Sequence, residues 1–527
     1  MRPLLGRLGN YLPAVVALGL PTAFIPIAKD SFILPRASIV IVGACLGIGI
    51  ALLAPGGRAL GRLKWPLLAA AGTAILAFLF SVSWPLSLAG SYTRYESLPV
   101  RLAYLGLFAM AVWLLRDRRS REWVVAALVF GTAGACLEAL VQLSQNVPYR
   151  PDGDLGNANL LGALIAMAFP LAVSRGLRGD QFTVAWWLGA AVLAAGIYPT
   201  TSRSGGLGAL AGGLAVIVFL LRGRAAALAT AVSAAILAAA LYLIVAGPLS
   251  QLNNDPARSR VLLWRDALRM IAARPVTGWG EDATGLTFGR FLSGDWSPGV
   301  TFDRIHSGPL DIAATQGILS VVALGVVLVV LLHGTWRARS GGETGALAAA
   351  CIGYSVWVLP NFDWAPATGA FWLIAGTAWS AVRAFDVARA QPQEIPSPAV
   401  ARPAAWRAVL AIALAVAAIA LGALPVLADV WYLQGRTELA VRVDPLQARY
   451  HWALGQALVA QDQKARGVDE MLRAADLGES EPGLYVDLGD AEAQLNRFAD
   501  ARRDYKRALK IDPYYAPASE RLAAMGT

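Results

Sequence analysis

Apolar residues run along this chain in thirteen long stretches, over approximately 11–28, 37–54, 65–82, 98–115, 123–143, 159–174, 182–199, 205–221, 225–246, 309–332, 345–361, 367–382 and 408–430. Short polar loops separate them. A bilayer core holds no water to satisfy exposed backbone groups, so a run of about 20 apolar residues crosses it as a helix. The pattern predicts an all-α, polytopic membrane protein of twelve to thirteen transmembrane helices, with a long external loop at 247–308. After about residue 433 charged residues become frequent, and apolar ones recur at helical spacing. That tail predicts a small α-solenoid.

The loops carry their cations on alternate sides. With Arg2 and Arg7 in the cytoplasm, every even-numbered loop is cytoplasmic. These loops hold Arg58, Arg62 and Lys64, then Arg116, Arg118, Arg119 and Arg121, then Arg175 and Arg178, Arg222 and Arg224, Arg337 and Arg339, and finally Arg383, Arg389, Arg402 and Arg407. This obeys the positive-inside rule. An odd number of spans puts the tail outside, on the face of the long loop. The expected organisation is a membrane domain over 1–390, a Pro- and Ala-rich cytoplasmic connector over 391–407, a last span over 408–430 and an external repeat domain over 433–527. The first run lacks a clean small-residue cleavage site and reads as a retained span.

Composition agrees. At 527 residues, 57% hydrophobic and 15% charged, the chain is too apolar for a soluble protein. Its net charge of +10 belongs mainly to the cytoplasmic loops, while 433–527 holds 13 basic and 15 acidic groups, so the basicity reports topology and no nucleic-acid partner is expected. Cys45, Cys136 and Cys351 fall inside runs and suggest no disulfide framework. No cofactor or metal cluster is expected on the external face.

Four polar groups fall on that face. Asn157 and Asn159, beside Gly156, suit either a helix cap or a ligand contact. In Thr200-Thr201-Ser202-Arg203-Ser204-Gly205-Gly206, one arginine among hydroxyls and glycines can offer a fork of donors to a phosphate. The long loop carries Arg258, Arg260, Trp264, Arg265 and Arg269 on a segment where Val261, Leu262, Trp264, Leu268 and Ile271 have amphipathic spacing. Such a helix would lie along the outer leaflet or cap the bundle. Asp303-Arg304-Ile-His306-Ser307-Gly308 supplies an external histidine suited to proton transfer near neutral pH, with Asp303 placed to orient it. His333 falls at the cytoplasmic end of a span, and His451 takes an aromatic-type position in the tail.

Tyr485, Leu488, Gly489, Ala501, Tyr505, Ala508 and Pro513 stand at tetratricopeptide offsets, echoed 34 residues earlier by His451, Leu454, Gly455, Gly467, Met471 and Ala474. The tail therefore resembles the tetratricopeptide repeat family. With so few repeats it should dock on the membrane domain or on a partner protein. The ordered set Gly156-Asn157-Ala-Asn159, Ser202-Arg203, Arg260-x-x-x-Trp264, Pro275-Val-Thr-Gly278, His306-Ser-Gly-Pro-Leu310 and Gln316-Gly317-Ile318 resembles the O-antigen ligase/polymerase superfamily over roughly 10–385.

That resemblance implies a metal-independent, inverting glycosyltransferase in the bacterial inner membrane. It would draw on an undecaprenyl-diphosphate-linked glycan at the periplasmic face. His306 would be catalytic. Arg203 and Arg260, with Arg265, would hold the diphosphate, and Asn157, Asn159, Ser202, Trp264 and Asp303 would support them. The acceptor stays open among lipid A core, a growing glycan and a protein hydroxyl, the last making the chain a protein O-oligosaccharyltransferase. Family sequences often show His-Asn where this chain has His306-Ser307, which leaves acceptor preference open. A flippase for the lipid-linked glycan and a non-catalytic assembly protein are the alternatives outside catalysis; the first should show an internal repeat of spans, and none is evident.

Overall fold

The computed structural model describes residues 2–54, 57–250, 257–294, 302–389 and 404–526, and all regular structure among them is helical. Nine helices there are long and apolar enough to cross a membrane. The runs at 98–115, 345–361 and 367–382 fall largely in three more, Leu98–Leu114, Thr344–Val358 and Ala365–Arg389, and the run at 11–28 falls in Arg2–Thr22 only as far as Thr22. Most of the connector, including Arg402, lies outside the described residues, as do the side chains of Arg2, Arg7 and Arg258.

One run is broken in two. The run 309–332 is two helices, Gly308–Gln316 and Ile318–Arg337, and only the second is long enough to span. Gly317 makes the break at φ +86°, and a Cβ there would meet the Val276 carbonyl oxygen at 2.0 Å. Hydropathy is blind to such a break because the residues on both sides are apolar.

The cationic loops gather at one end of the bundle. Arg121 pairs with Glu343 at 2.6 Å, Arg175 with Glu122 at 3.1 Å and Arg337 with Asp386 at 2.8 Å, and the Trp379 indole donates to the Leu60 carbonyl at 2.8 Å. The long loop and the tail share the other end. A Cβ on Gly289 would meet the Ile511 carbonyl oxygen at 2.5 Å, and one on Gly478 would meet Leu86 at 2.9 Å.

Small residues set the central packing. Helices Ala158–Gly176, Arg203–Leu220 and Thr344–Val358 touch backbone to backbone, since a Cβ on Gly208 would lie 2.6 Å from the Gly353 oxygen and one on Gly205 would lie 2.6 Å from Gly162 Cα. Among lipid tails helices gain little from hiding apolar surface from each other, so close backbone approach supplies the contact. It seats the start of the Arg203 helix beside the end of Thr344–Val358. In the last span, Ala405–Ala418, Ile419–Ala423 and Leu424–Leu433 form one continuous rod whose middle segment widens to a π turn ahead of Pro425, which has no N–H to give.

The tail folds as helix pairs, Ala448–Ala460 with Lys464–Asp476 and Pro482–Gln494 with Phe498–Ile511, flanked by Thr437–Val443 and Ala516–Ala524. Tyr485, Leu488, Ala501, Tyr505 and Ala508 are all buried in its core. Gly489 lets the Tyr505 ring approach, and Gly455 does the same for Met471. His451 is structural, its ring nitrogens bonded to Glu470 at 2.7 Å and to the Pro445 carbonyl at 3.1 Å. The expected docking is present: Asp429 of the last span accepts from Tyr450 at 3.0 Å, from Tyr92 at 2.8 Å and from the Asp30 amide at 2.7 Å.

Candidate functional site

The long loop builds a core of its own. Leu263, Ala267, Met270 and Ile271 form one face of helix Ala257–Ala273 and pack with Trp279, Ala283, Phe288, Ile305 and Ala314. This face differs from the one expected from sequence, because Val261 and Leu268 are exposed and Leu263, Ala267 and Met270 point inward. The inner face is turned into the core of the loop and the Gly308–Gln316 half-helix. Behind it the chain caps the end of Gly308–Gln316: the Trp279 and Gly280 amides donate to the Ala314 and Thr315 carbonyls at 2.9 Å, and the Ile318 amide donates to the Pro275 carbonyl at 2.8 Å. The motifs Pro275–Gly278 and Gln316–Ile318, some forty residues apart, are thus two sides of one contact. Gly278, at φ +63°, permits it.

Beneath this loop lies a buried charge network. Arg101 contacts Asp363 at 2.6 Å, Glu281 at 3.2 Å and Glu96 at 3.6 Å. Arg304 reaches Asp311 at 2.9 Å and also bonds Asp282. The Ile305 amide donates to Asp311 at 3.2 Å, so the first turn of the half-helix holds the backbone one residue before His306. Gln316 donates to Glu281 at 2.5 Å, and Tyr104 donates to Glu96 at 2.5 Å. Unpaired charges buried to this depth would cost several kcal/mol each, and pairing offsets that. Burial raises the Glu96 carboxyl to about 7 even though Arg101 and Arg304 pull it down; Glu281 is raised for the same reason.

The connector 360–364 collects the expected groups. The Pro360 carbonyl accepts from Arg260. The Phe362 ring meets the His306 ring edge-on with centroids 5.1 Å apart, and the Trp264 indole donates to the His306 carbonyl at 3.2 Å. Arg94 lies over Trp364 at 4.4 Å and over Phe362 at 5.1 Å. Asp363 takes Arg101. The structure thus brings Arg260, Trp264 and His306 together. His306 itself sits at φ +52°, a left-handed conformation that side-chain-bearing residues adopt rarely and that aims its ring.

The other expected residues form neighbouring groups. Asn157 caps helix Ala158–Gly176 through the Asn159 amide at 2.8 Å, and Asn159 accepts from Ser202 at 3.0 Å and from Arg150 at 3.3 Å. Ser202 caps the helix that begins at Arg203. Arg203 donates to the Ser250 carbonyl at 2.9 Å and to that of Leu249 at 3.3 Å. Arg265 bonds Asp266 at 3.0 Å and also Ser293, facing about 140° around its helix from Arg260. Asp303 pairs with Arg94 at 2.6 Å.

Sequence reasoning missed Arg94, Arg101, Arg150, Asp311 and the whole 360–364 connector, and it gave Arg304 no role. A signal existed for two of them: Arg101 and Asp311 lie inside apolar runs, where an unpartnered polar group is expensive. A cavity of about 460 Å³ opens below the network. Arg101, Gln316, Tyr354 and Asp363 line it near the loop end, and Leu324, Val327, Leu331, Phe371, Trp372 and Ala375 continue it along the bundle.

Residues 188–325 match the family model described as O-Antigen ligase, and residues 482–515 match that of the Tetratricopeptide repeat. The ligase match spans the Arg203 turn, the long loop, His306 and the half-helix. No curated protein matches the chain.

Proposed function

We propose that this chain, a multi-pass membrane protein of O-antigen ligase type by its 188–325 match, transfers glycan from an undecaprenyl diphosphate to a hydroxyl acceptor at the end of the bundle bearing the long loop. We take that end as periplasmic because the arginine-rich loops crowd the opposite one. The observation that carries the reading is the convergence of Arg260, Trp264 and His306, all three within the 188–325 match, on the 360–364 connector that follows it.

The chemistry needs a base and an anion holder. The acceptor oxygen attacks the anomeric carbon as its proton passes to the His306 imidazole. The bond from that carbon to the diphosphate oxygen breaks, and its electron pair leaves with the polyprenyl diphosphate. Arg203 and Arg260 stabilise the growing charge, which guanidinium groups do without reorganising. One displacement inverts the anomeric centre. Arg265 is assigned to bracing the loop through Asp266 and Ser293, and Asp303 to shaping the rim with Arg94. The apolar lining of the cavity beneath suits the part of the prenyl chain nearest the diphosphate.

Incubating purified protein with a defined polyprenyl-diphosphate oligosaccharide and candidate acceptors, followed by mass analysis, tests this. Glycan should move to a hydroxyl in wild type and not in His306→Ala. Passage of the intact carrier across liposomes, with no bond changed, would replace catalysis by transport. The acceptor that becomes labelled separates lipid A core, glycan polymer and protein.

A further inference from the structure

At the arginine-rich end, the Ile318–Arg337 and Ala365–Arg389 helices and the Gly61–Leu63 turn enclose a second cavity of about 540 Å³. Arg62, Arg337, Arg383 and His333 line it, against one carboxylate, Asp386. Asp386 is taken by Arg337. Among the described residues, Arg62, Arg383 and His333 have no hydrogen bond or ion pair, whereas Arg101, Arg121, Arg175 and Arg304 are all matched to carboxylates. The remaining walls are apolar. Val329 and Val387 are 67% and 69% exposed, and Trp379 has already given its indole N–H to Leu60.

A helix C-terminus favours cations through its dipole, which accounts for Arg337 on its own helix. It does not account for cations from three separate elements around one hollow with apolar walls. Basic hollows between helices at this face suit phosphate headgroups. We infer that this cavity binds one anionic glycerophospholipid, its phosphate between Arg62 and Arg383 and its acyl chains along Val329, Val330 and Val387. The site stands at the far end of two helices from His306, about 30 Å along a 20-residue helix. It is independent of the transfer chemistry.

The test is native mass spectrometry of the full-length chain in detergent, titrated with phosphatidylglycerol or with phosphatidylcholine of the same acyl chains. One phosphatidylglycerol should be retained where phosphatidylcholine is lost. Arg62→Gln with Arg383→Gln should weaken its retention at least about tenfold. Val330→Trp, which fills the hollow and keeps every charge, should weaken it as well, so the result does not hang on one variant's folding. Arg119→Gln, an exposed cation at the same end outside the cavity, should change nothing. Equal retention of the two lipids, an equal loss in Arg119→Gln, or displacement of the lipid by inorganic phosphate would each overturn the assignment.

Discussion

The His306 ring owes its position to contacts on both sides, Phe362 against the imidazole and Trp264 on the backbone carbonyl. A positioned base contributes about 10² to 10⁴ in rate. His306→Ala should therefore lower transfer by about that factor while the chain still inserts, as membrane fractionation would report. Arg203→Ala should also abolish most transfer, and normal product from both variants would remove the assigned chemistry. Glu96 allows a prediction about pH. Its carboxyl sits near 7 in the fold and near 4.5 in an unfolded chain, so between these values the folded state holds the extra proton. Its contribution to stability is greatest below about 4.5, declines as pH rises and is spent above about 7. Apparent unfolding temperature should fall from pH 5 to pH 8, and Glu96→Gln should flatten part of that fall; an unchanged slope in the variant would assign the dependence to other groups.

Elements were legible where one residue type decided them. The nine long apolar helices among the described residues follow from apolar length alone, because a bilayer leaves a continuous apolar run no other fold. The break at Gly317 does not, since it is fixed by residues 275–278 backing onto it. Gly317→Ala places a Cβ on the Val276 oxygen in a left-handed backbone and should destabilise the loop, read as faster protease cutting between 257 and 294 and reduced transfer. Gly72→Ala, with open space at its Cβ, should leave both unchanged. The loop helix shows a second limit. Its spacing announced an amphipathic helix correctly, but with apolar residues on two faces only the tertiary core selects Leu263, Ala267 and Met270 as the inner one.

For the whole molecule, the turn at Arg203 and the histidine of the loop were readable as chemistry because a lone arginine among hydroxyls and an external histidine are unusual there. The network around Arg101 was not. Two of its three carboxylate partners stand 180 and 262 residues away, and no local pattern encodes such a meeting. The tail was legible as a repeat and is positioned by packing on Gly289 and Leu86. A chain ending after Arg436 keeps the proposed site but uncovers this surface. It should retain partial transfer and unfold at a lower temperature; complete loss of transfer would mean the tail supplies part of the active centre.

Asp429 also carries a consequence for biosynthesis. The last hydrophobic segment to leave the ribosome brings the carboxylate awaited by the Asp30 amide and the Tyr92 hydroxyl, made 399 and 337 residues earlier. Until translation passes that point, the amino-terminal helices keep polar groups unanswered. A nascent chain that stalls short of it is chemically distinguishable from a finished one, and pulse-chase of a chain stopped at residue 404 should show faster turnover than the full-length product.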